Sequence, residues 1–589
     1  MRELITKLRE RAASNAQQPA VTFVSEFSDI RSTVRDRAEL DLHSRRIASW
    51  LQERFAPGDR ALLLYSPGIE FTTAFCACVY AGVIAVPAPL PGRYRHERRR
   101  LAAIARDAGV RAVLTQRTDL AGVEKWVAEE GIVGAVCHPT DAGDGAPDAW
   151  TAPEVSPQTL ALLQYTSGST GDPKGVMVTH GNLIANVERM VDAFGNDSGT
   201  TYGGWIPLYH DMGLIGLMLP GLLSGNGYVQ MDPMSFLRRP YHWLRMLDVC
   251  DVGFTAAPDF GYEMCVRRVT DEQLATLDLS RVKAGNGSEP VRADVVAAFT
   301  DRFAAAGLRS DALIPVYGLA EATLMASGTT GRPPLLTTAD AAALENRELR
   351  PATGTATAQP RVLVGCGAPT GSGVLIVDPG TGDALPDGRI GEIWLDGPCV
   401  AAGYWENEAA TAATFRAYTS DGRGPFLRTG DLGGLLDGDL YITGRRKDVL
   451  VLHGRNLHPA DIEYELRSQH EELAGMNGAV FMVGGDDGVD TAPAIVAVHE
   501  IRAHWGADRL GQIAVGMKQT MAREFGVPVA AVALVRPGGV RRTTSGKVQR
   551  SAMRALYLAG DLDTLHLSED PLLTAALAGH PRRPNKLAG

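Results

Sequence analysis

The stretch Leu162–Asn186, LLQYTSGSTGDPKGVMVTHGNLIAN, constrains this chain more than any other. Its apolar lead, Leu160 to Leu163, reads as a buried strand. Thr166 to Gly175 then holds three Gly, four Ser or Thr, one Pro and Lys174. Beyond it Leu183, Ile184, Val187, Met190, Val191 and Phe194 share one helical face. The expected order is strand, hydroxyl-rich loop, helix. Glycines let backbone N–H groups approach an anion, hydroxyls add donors, and Lys174 adds charge. It is not a Walker loop, because Pro173 and Gly175 stand where Gly and Ser or Thr are required. A nucleotide site is the reading that the rest of the chain must complete.

The chain has 589 residues, enough for several folding units. An apolar share of 45% and a charged share of 21% are those of a globular protein. The net charge of −10 argues against a nucleic-acid binder. Met1 to Arg11 mixes charges of both signs and lacks a signal-peptide core. Phe75 to Val86 and Leu214 to Leu223 are too short for a membrane span. Seven scattered cysteines without a CxxC pair read as reduced thiols. A cytoplasmic location is expected.

Residues 1 to about 150 alternate helical and strand-like patterns, which favours α/β layers with parallel strands. Arg93 to Arg100, RYRHERRR, reads as a solvated helix face, with an acidic partner as the alternative. In GWIPLYHDMGLIG, neighbouring strand residues face opposite ways, which favours a pocket-lining His210 over an Asp211-oriented base; a structural histidine is the other reading. AGNGSEPV (Ala284–Val291) and IPVYGLAEATL (Ile314–Leu324) are further Gly-bearing turns after strands. Tyr317 offers a face for a base and Glu321 a hard oxygen for Mg²⁺. Arg332 to Pro360, with one short helical stretch and no clear strand, reads as an excursion.

In FLRTGDLGG, Asp431 is expected in a Gly-flanked turn, where it could accept ribose hydroxyls, and Asp437-Gly438 marks a hairpin. A boundary is expected at GRRKD, Gly444 to Asp448. A small α+β unit follows it, up to Lys547 in RRTTSGKVQR. From about Ala559 no periodicity is evident.

YTSGSTGDPKG, YGLAEAT, RTGDLG, GRRKD and TSGK occur in the order of the adenylate-forming superfamily of acyl-CoA synthetases, adenylation domains and luciferases, which this chain resembles over roughly nine tenths of its length. WIPLYHDMGLIG, NGSEPV, VGCG and GRRKDVLVLHGRNLHPADIE resemble its fatty acyl-AMP ligase branch, and 332–360 lies where that branch carries an insertion. Ser288 and Ala257-Pro258-Asp259 depart from the common pattern without removing a catalytic group.

The resemblance implies an α/β fold. A large N-terminal domain (1–445) has layered sheets and a distorted barrel, and a small mobile α+β domain (446–589) carries the catalytic lysine. It implies activation of a fatty acid with ATP and Mg²⁺ to acyl-AMP, then transfer to the phosphopantetheine thiol of an acyl carrier protein. Free CoA is the alternative acceptor. By motif position Thr166, Ser167, Gly168, Ser169, Thr170 and Lys174 hold phosphates. Gly287, Ser288, Glu289, Tyr317 and Gly318 border adenine, and Asp431 and Arg445 bind ribose. Glu321 and Thr166 hold Mg²⁺, Lys547 bridges carboxylate and α-phosphate, Lys447 marks the hinge, and His210 lies near the carboxyl. The carrier is expected to act in trans, because the chain stops about 40 residues after Lys547, and a monomer or dimer is expected.

Overall fold

A computed structural model describes residues 4–27, 30–143, 145–166, 173–352, 361–370, 373–452, 455–484, 493–502, 504–542 and 547–577. Two sheets form the body. In the six-stranded sheet the order is Val136–Pro139, Ala112–Thr115, Arg60–Leu63, Ile84–Pro87, Leu160–Thr166 and Lys174–Thr179, and only the last pairing is antiparallel. In the eight-stranded sheet the order is Met325–Gly328, Leu313–Gly318, Lys283–Gly287, Val252–Pro258, Thr201–Gly204, Tyr228–Met231, Pro19–Glu26 and Arg31–Asp36. There the inner pairs are parallel and each edge pair is antiparallel. Parallel strands need cover on both faces. Glu70–Ala81, in which every residue after Glu70 is buried, and His180–Phe194 supply part of it within one continuous core.

A third, antiparallel sheet of four strands (Gly373–Val377, Gly391–Asp396, Leu427–Leu436, Asp439–Arg445) stands where the barrel was expected. Its last two strands meet at Asp437 and Gly438, both at positive φ (51° and 81°), as the Asp-Gly dipeptide predicts. Residues beyond this sheet form a separate four-stranded unit, Gly478–Val483, Ala494–Glu500, Val529–Val535 and Thr564–Glu569, with an apolar core on each face. The fold is thus a large α/β body with a smaller α+β unit.

Four expectations change. Lys174 opens a strand antiparallel to Leu160–Thr166, and the helix begins only at His180. The Gly-Val-Met-Val-Thr run is buried except for half-buried Met177 and pairs antiparallel with Leu160–Thr166, so a hairpin replaces the expected loop-to-helix step. Asp431 lies within Leu427–Leu436 opposite Arg445, and Gly430, at positive φ (71°), falls where the pairing with Gly391–Asp396 shifts register. The excursion contains a strand, Leu336–Ala339, paired with Arg361–Val364, and its helix is only Ala341–Glu345. The tail is not featureless: Thr564–Glu569 completes the small unit's sheet, and Pro571–Leu577 is helical.

Trp243 is fully buried at the centre of an aromatic cluster, edge-on to Phe236 (5.6 Å) and to Trp205 (6.2 Å). Its indole N–H donates to Thr255 Oγ1 at 3.2 Å. Trp243→Ala should cost about 3–5 kcal/mol of stability in denaturant titrations, through lost burial and the cavity left behind.

Candidate active site

In open α/β sheets ligands bind beyond the carboxyl ends of parallel strands. Here those ends deliver Thr166, Asp259, Gly287 to Glu289 and Gly318 around one cleft of ≈ 2890 Å³. Lys174, Tyr317, Glu321, Asp431, Arg445, Lys447 and Lys547 also line it. Residues separated by up to 381 positions (166 to 547) therefore meet. Ser167, Gly168, Ser169 and Thr170 lie outside the described residues. Gly287 is buried just behind the cleft, at the end of its strand.

Asp431 is the cleft's central anion. Tyr317 donates its hydroxyl to Oδ2 (2.8 Å), and Arg445 Nε lies 3.0 Å from Oδ1. Burial beside this carboxylate pushes the Tyr317 phenol well above its ordinary range. The Asp431 charge, opposed by burial, raises Arg445. Lys547 enters from the small unit and feels the charges of Arg445, Asp211, Asp431 and Glu289. Burial first, and Arg445 second, lower its pKa. Lys447 is lowered by the same two causes, burial and then Arg445.

Glu321 and Lys174 are braced by a residue that the sequence did not single out. Tyr404 donates its hydroxyl to Glu321 Oε1 at 2.8 Å, and Lys174 Nζ sits 5.1 Å from its ring centroid. It arrives because 402–405 runs along the edge of Lys174–Thr179, with Met177 N–H bonded to Gly403 O and Trp405 N–H to Gly175 O (2.9 and 2.8 Å). Only the Gly-Tyr-Trp cluster hinted at it in the sequence.

Asp211 was also undervalued. His210 and Asp211 stand at a helix start, not in a strand, so their side chains meet: Nδ1 lies 2.8 Å from Oδ1. The two side chains therefore do not take the opposite faces that a strand would give them. Burial disfavours the Asp211 carboxylate, but His210 and Lys547 outweigh it and hold its pKa below the usual value. Ser288 takes φ 72°, and Glu289 beyond it accepts the Phe260 N–H at 2.8 Å. Burial pushes the Glu289 carboxyl up to about 7.

The AMP-binding enzyme family profile matches residues 8–405. The chain belongs to that family. It is 38% identical over 548 residues to the medium-chain-fatty-acid–[acyl-carrier-protein] ligase JamA of Moorena producens, covering 89% of this chain and 90% of the relative. It is 37% identical to the long-chain-fatty-acid–AMP ligase FadD26 of Mycobacterium bovis, over 94% and 97% of the two chains. Among solved structures, a fatty acyl-adenylate ligase from L. pneumophila in complex with acyl adenylate and pyrophosphate superposes with a TM-score of 0.73 at 30% identity, over 96% of this chain and 98% of that one. A structure from a study of the fatty acyl-adenylate ligases of E. coli and L. pneumophila reaches a TM-score of 0.82 at 29% identity, over 95% and 98%. Family and fold place this chain with the fatty acyl-AMP ligases. It is a ligase of the adenylate-forming kind. No helix among the described residues is long and apolar enough to cross a membrane.

Glu289 yields a pH test. A carboxyl whose folded pKa is raised stabilises the fold below its unfolded pKa, here 4.5, and loses that contribution as pH rises through about 7. Glu289→Gln keeps an acceptor for the Phe260 N–H but cannot ionise. Relative to this variant, the unmodified protein should lose stability between pH 4.5 and about 7 in denaturant melts. A constant difference across that window would contradict the assignment.

Proposed function

We propose that the chain activates a fatty or related carboxylic acid with ATP, releasing pyrophosphate, and passes the acyl group to the phosphopantetheine thiol of an acyl carrier protein acting in trans. The observation that carries this reading is the insertion of Lys547, from the small unit, between Asp211, Asp431 and Glu289.

In the first step a carboxylate oxygen attacks the α-phosphorus while the bond to the bridging oxygen breaks and pyrophosphate leaves. Two anions must approach, so cationic groups have to offset their repulsion. Lys547 lies where it can contact both the carboxylate and the α-phosphate. Lys174, held over Tyr404, and Thr166 take the β- and γ-phosphates, a role the sequence motif also gives Ser167, Gly168, Ser169 and Thr170. Gly287, Ser288, Glu289, Tyr317 and Gly318 border the adenine. Asp431 and Arg445 take the ribose: a carboxylate has about four lone-pair sites, so Asp431 can accept hydroxyls while keeping Tyr317 and Arg445. His210, fixed by Asp211, sits at the carboxyl end of the acyl site.

Glu321 and Thr166 fit Mg²⁺. Tyr404 fixes Oε1 of Glu321, and Oε2 makes no side-chain hydrogen bond among the described residues. Those residues contain no group of three or more His, Cys, Asp or Glu able to cage a metal. One carboxylate completed by phosphate oxygens and water is the usual Mg²⁺ arrangement, and the ion supplies charge neutralisation on the phosphates.

In the second step the thiol sulfur attacks the acyl carbon and AMP leaves. Lys547 is no longer needed then. Division at 445/446, with Lys447 at the hinge, lets the small domain (446–589) swing the lysine out and admit the phosphopantetheine arm. Free CoA as acceptor is the competing reading, and the acyl-carrier-protein ligases among the relatives favour the carrier.

Lys547→Ala should lower fatty-acid-dependent ATP–pyrophosphate exchange by at least roughly 10²–10³-fold, while transfer from added acyl-adenylate to holo carrier protein persists. Undiminished exchange would remove Lys547 from the first step. Parallel reactions with free CoA and holo carrier protein should give acyl product on the carrier, and faster acyl-CoA formation would overturn the acceptor.

A further inference from the structure

We propose that Phe254, stacked on Phe194, is the floor of the acyl channel and restricts the acid to a medium-length, apolar chain of about eight to twelve carbons. This rests on the acyl-activating function proposed above and concerns the far end of the same cleft.

On strand Val252–Pro258, residues 254, 256 and 258 share a face. Phe254 and Ala256 line the cleft below the reacting groups His210, Asp211 and Lys547. Its upper walls are cut back. On the neighbouring strand, Gly285 presents only hydrogen: a Cβ there would lie 3.4 Å from Ala256 Cβ and 3.7 Å from Phe254 Cζ. Across the channel, a Cβ on Gly216 would stand 3.0 Å from Leu324 Cδ2 and 3.8 Å from Met212 Cγ. Gly285, Ala256 and Gly216 thus leave a slot wide enough for a polymethylene chain and too narrow for a bulky side chain in addition.

The slot ends abruptly. Phe254 is 2% exposed, with its ring centroid 4.8 Å from Phe194 at an interplanar angle of 22° and 5.4 Å from Tyr202. Behind Phe194 the packing is closed: a Cβ on Gly328 would meet Val316 Cγ1 at 3.0 Å, Phe194 Cε1 at 3.3 Å and Met325 Sδ at 3.6 Å. Two stacked rings in a dense core do not yield to a longer chain without opening a cavity elsewhere. Phe194, Phe254, Val316 and Met325 bring no charge and no hydrogen-bonding side chain to the floor, so a hydroxyl or carboxyl at the distal end of the acid would be buried unpaired.

Strand geometry gives the depth. Pro258 pairs with Gly287, the strand end that leads into Ser288 and Glu289 of the cleft, and Phe254 lies four residues below it, about 13 Å at ~3.3 Å per residue. An extended chain advances about 1.3 Å per methylene, from ordinary C–C bond lengths. About ten carbons fill that span.

Pyrophosphate release with straight-chain saturated acids from four to eighteen carbons tests the floor. The expected kcat/KM peaks between eight and twelve carbons, with the sixteen-carbon acid at least about tenfold lower, since each methylene beyond the floor meets packed rings. Phe254→Ala should move the peak several carbons longer, and Phe254→Leu should move it less. Gly285→Leu, which leaves the floor intact and blocks the slot, should move it shorter. Equal use of ten- and sixteen-carbon acids by the unmodified enzyme would overturn the proposal, as would an unmoved peak in folded Phe254→Ala together with Phe254→Leu. Failure of every acid to release pyrophosphate would instead overturn the acyl-activating function and the floor with it.

Discussion

Two oxygens of one buried carboxylate tie this molecule together. Asp431, 6% exposed, receives the Tyr317 hydroxyl on one oxygen and faces Arg445 with the other. Tyr317 belongs to Leu313–Gly318 of the eight-stranded sheet, whereas Asp431 and Arg445 belong to the antiparallel sheet. Arg445 is also the last strand residue before Lys447. Asp431 is buried while Arg445 keeps its outer side exposed, so the carboxylate, left unpaired at such depth, is the costly member. The joint between two sheets and the strand end that leads into the small unit are therefore held by a single anion.

Opposed demands on lysine explain the remaining layout. Burial first, and the charge of Arg445 second, disfavour the Lys547 cation. Asp211, Asp431 and Glu289 act the other way. Those carboxylates come from three separate segments of the body, so the environment that favours the cation is assembled only where the small unit meets all three. Further ties cross between the parts: Arg361 pairs with Asp461 at 3.0 Å, and Arg467 feels the charge of Glu263.

Much of this was legible because local signals and global fold agree. The helices at 37–52, 70–81 and 180–194, the Asp437-Gly438 hairpin and the small unit's elements follow from periodicity and turn chemistry. The motifs carried the family, since several short signatures in one order rarely recur by chance. What stayed hidden was decided by long-range pairing. Lys174 becomes a strand residue only because Leu160–Thr166 lies beside it, and Tyr404 reaches Glu321 only along that strand's edge. Leu336–Ala339 and Thr564–Glu569 are short strands, stabilised by partners at 361–364 and 529–535 rather than by a strong pattern of their own. Thr-Leu-His-Leu-Ser-Glu does alternate, but six residues are too few to distinguish from coil.

His210 and Asp211 show the same limit at the scale of one peptide bond. Whether adjacent side chains diverge or meet depends on backbone state, and a Pro207 turn that breaks the strand early converts divergence into contact. Asp211 thereby feels both His210 of the large body and Lys547 of the small unit. Chemistry in this fold is therefore written in the strand ends and their turns, where a single register change relocates a functional group while the sheets beneath stay the same.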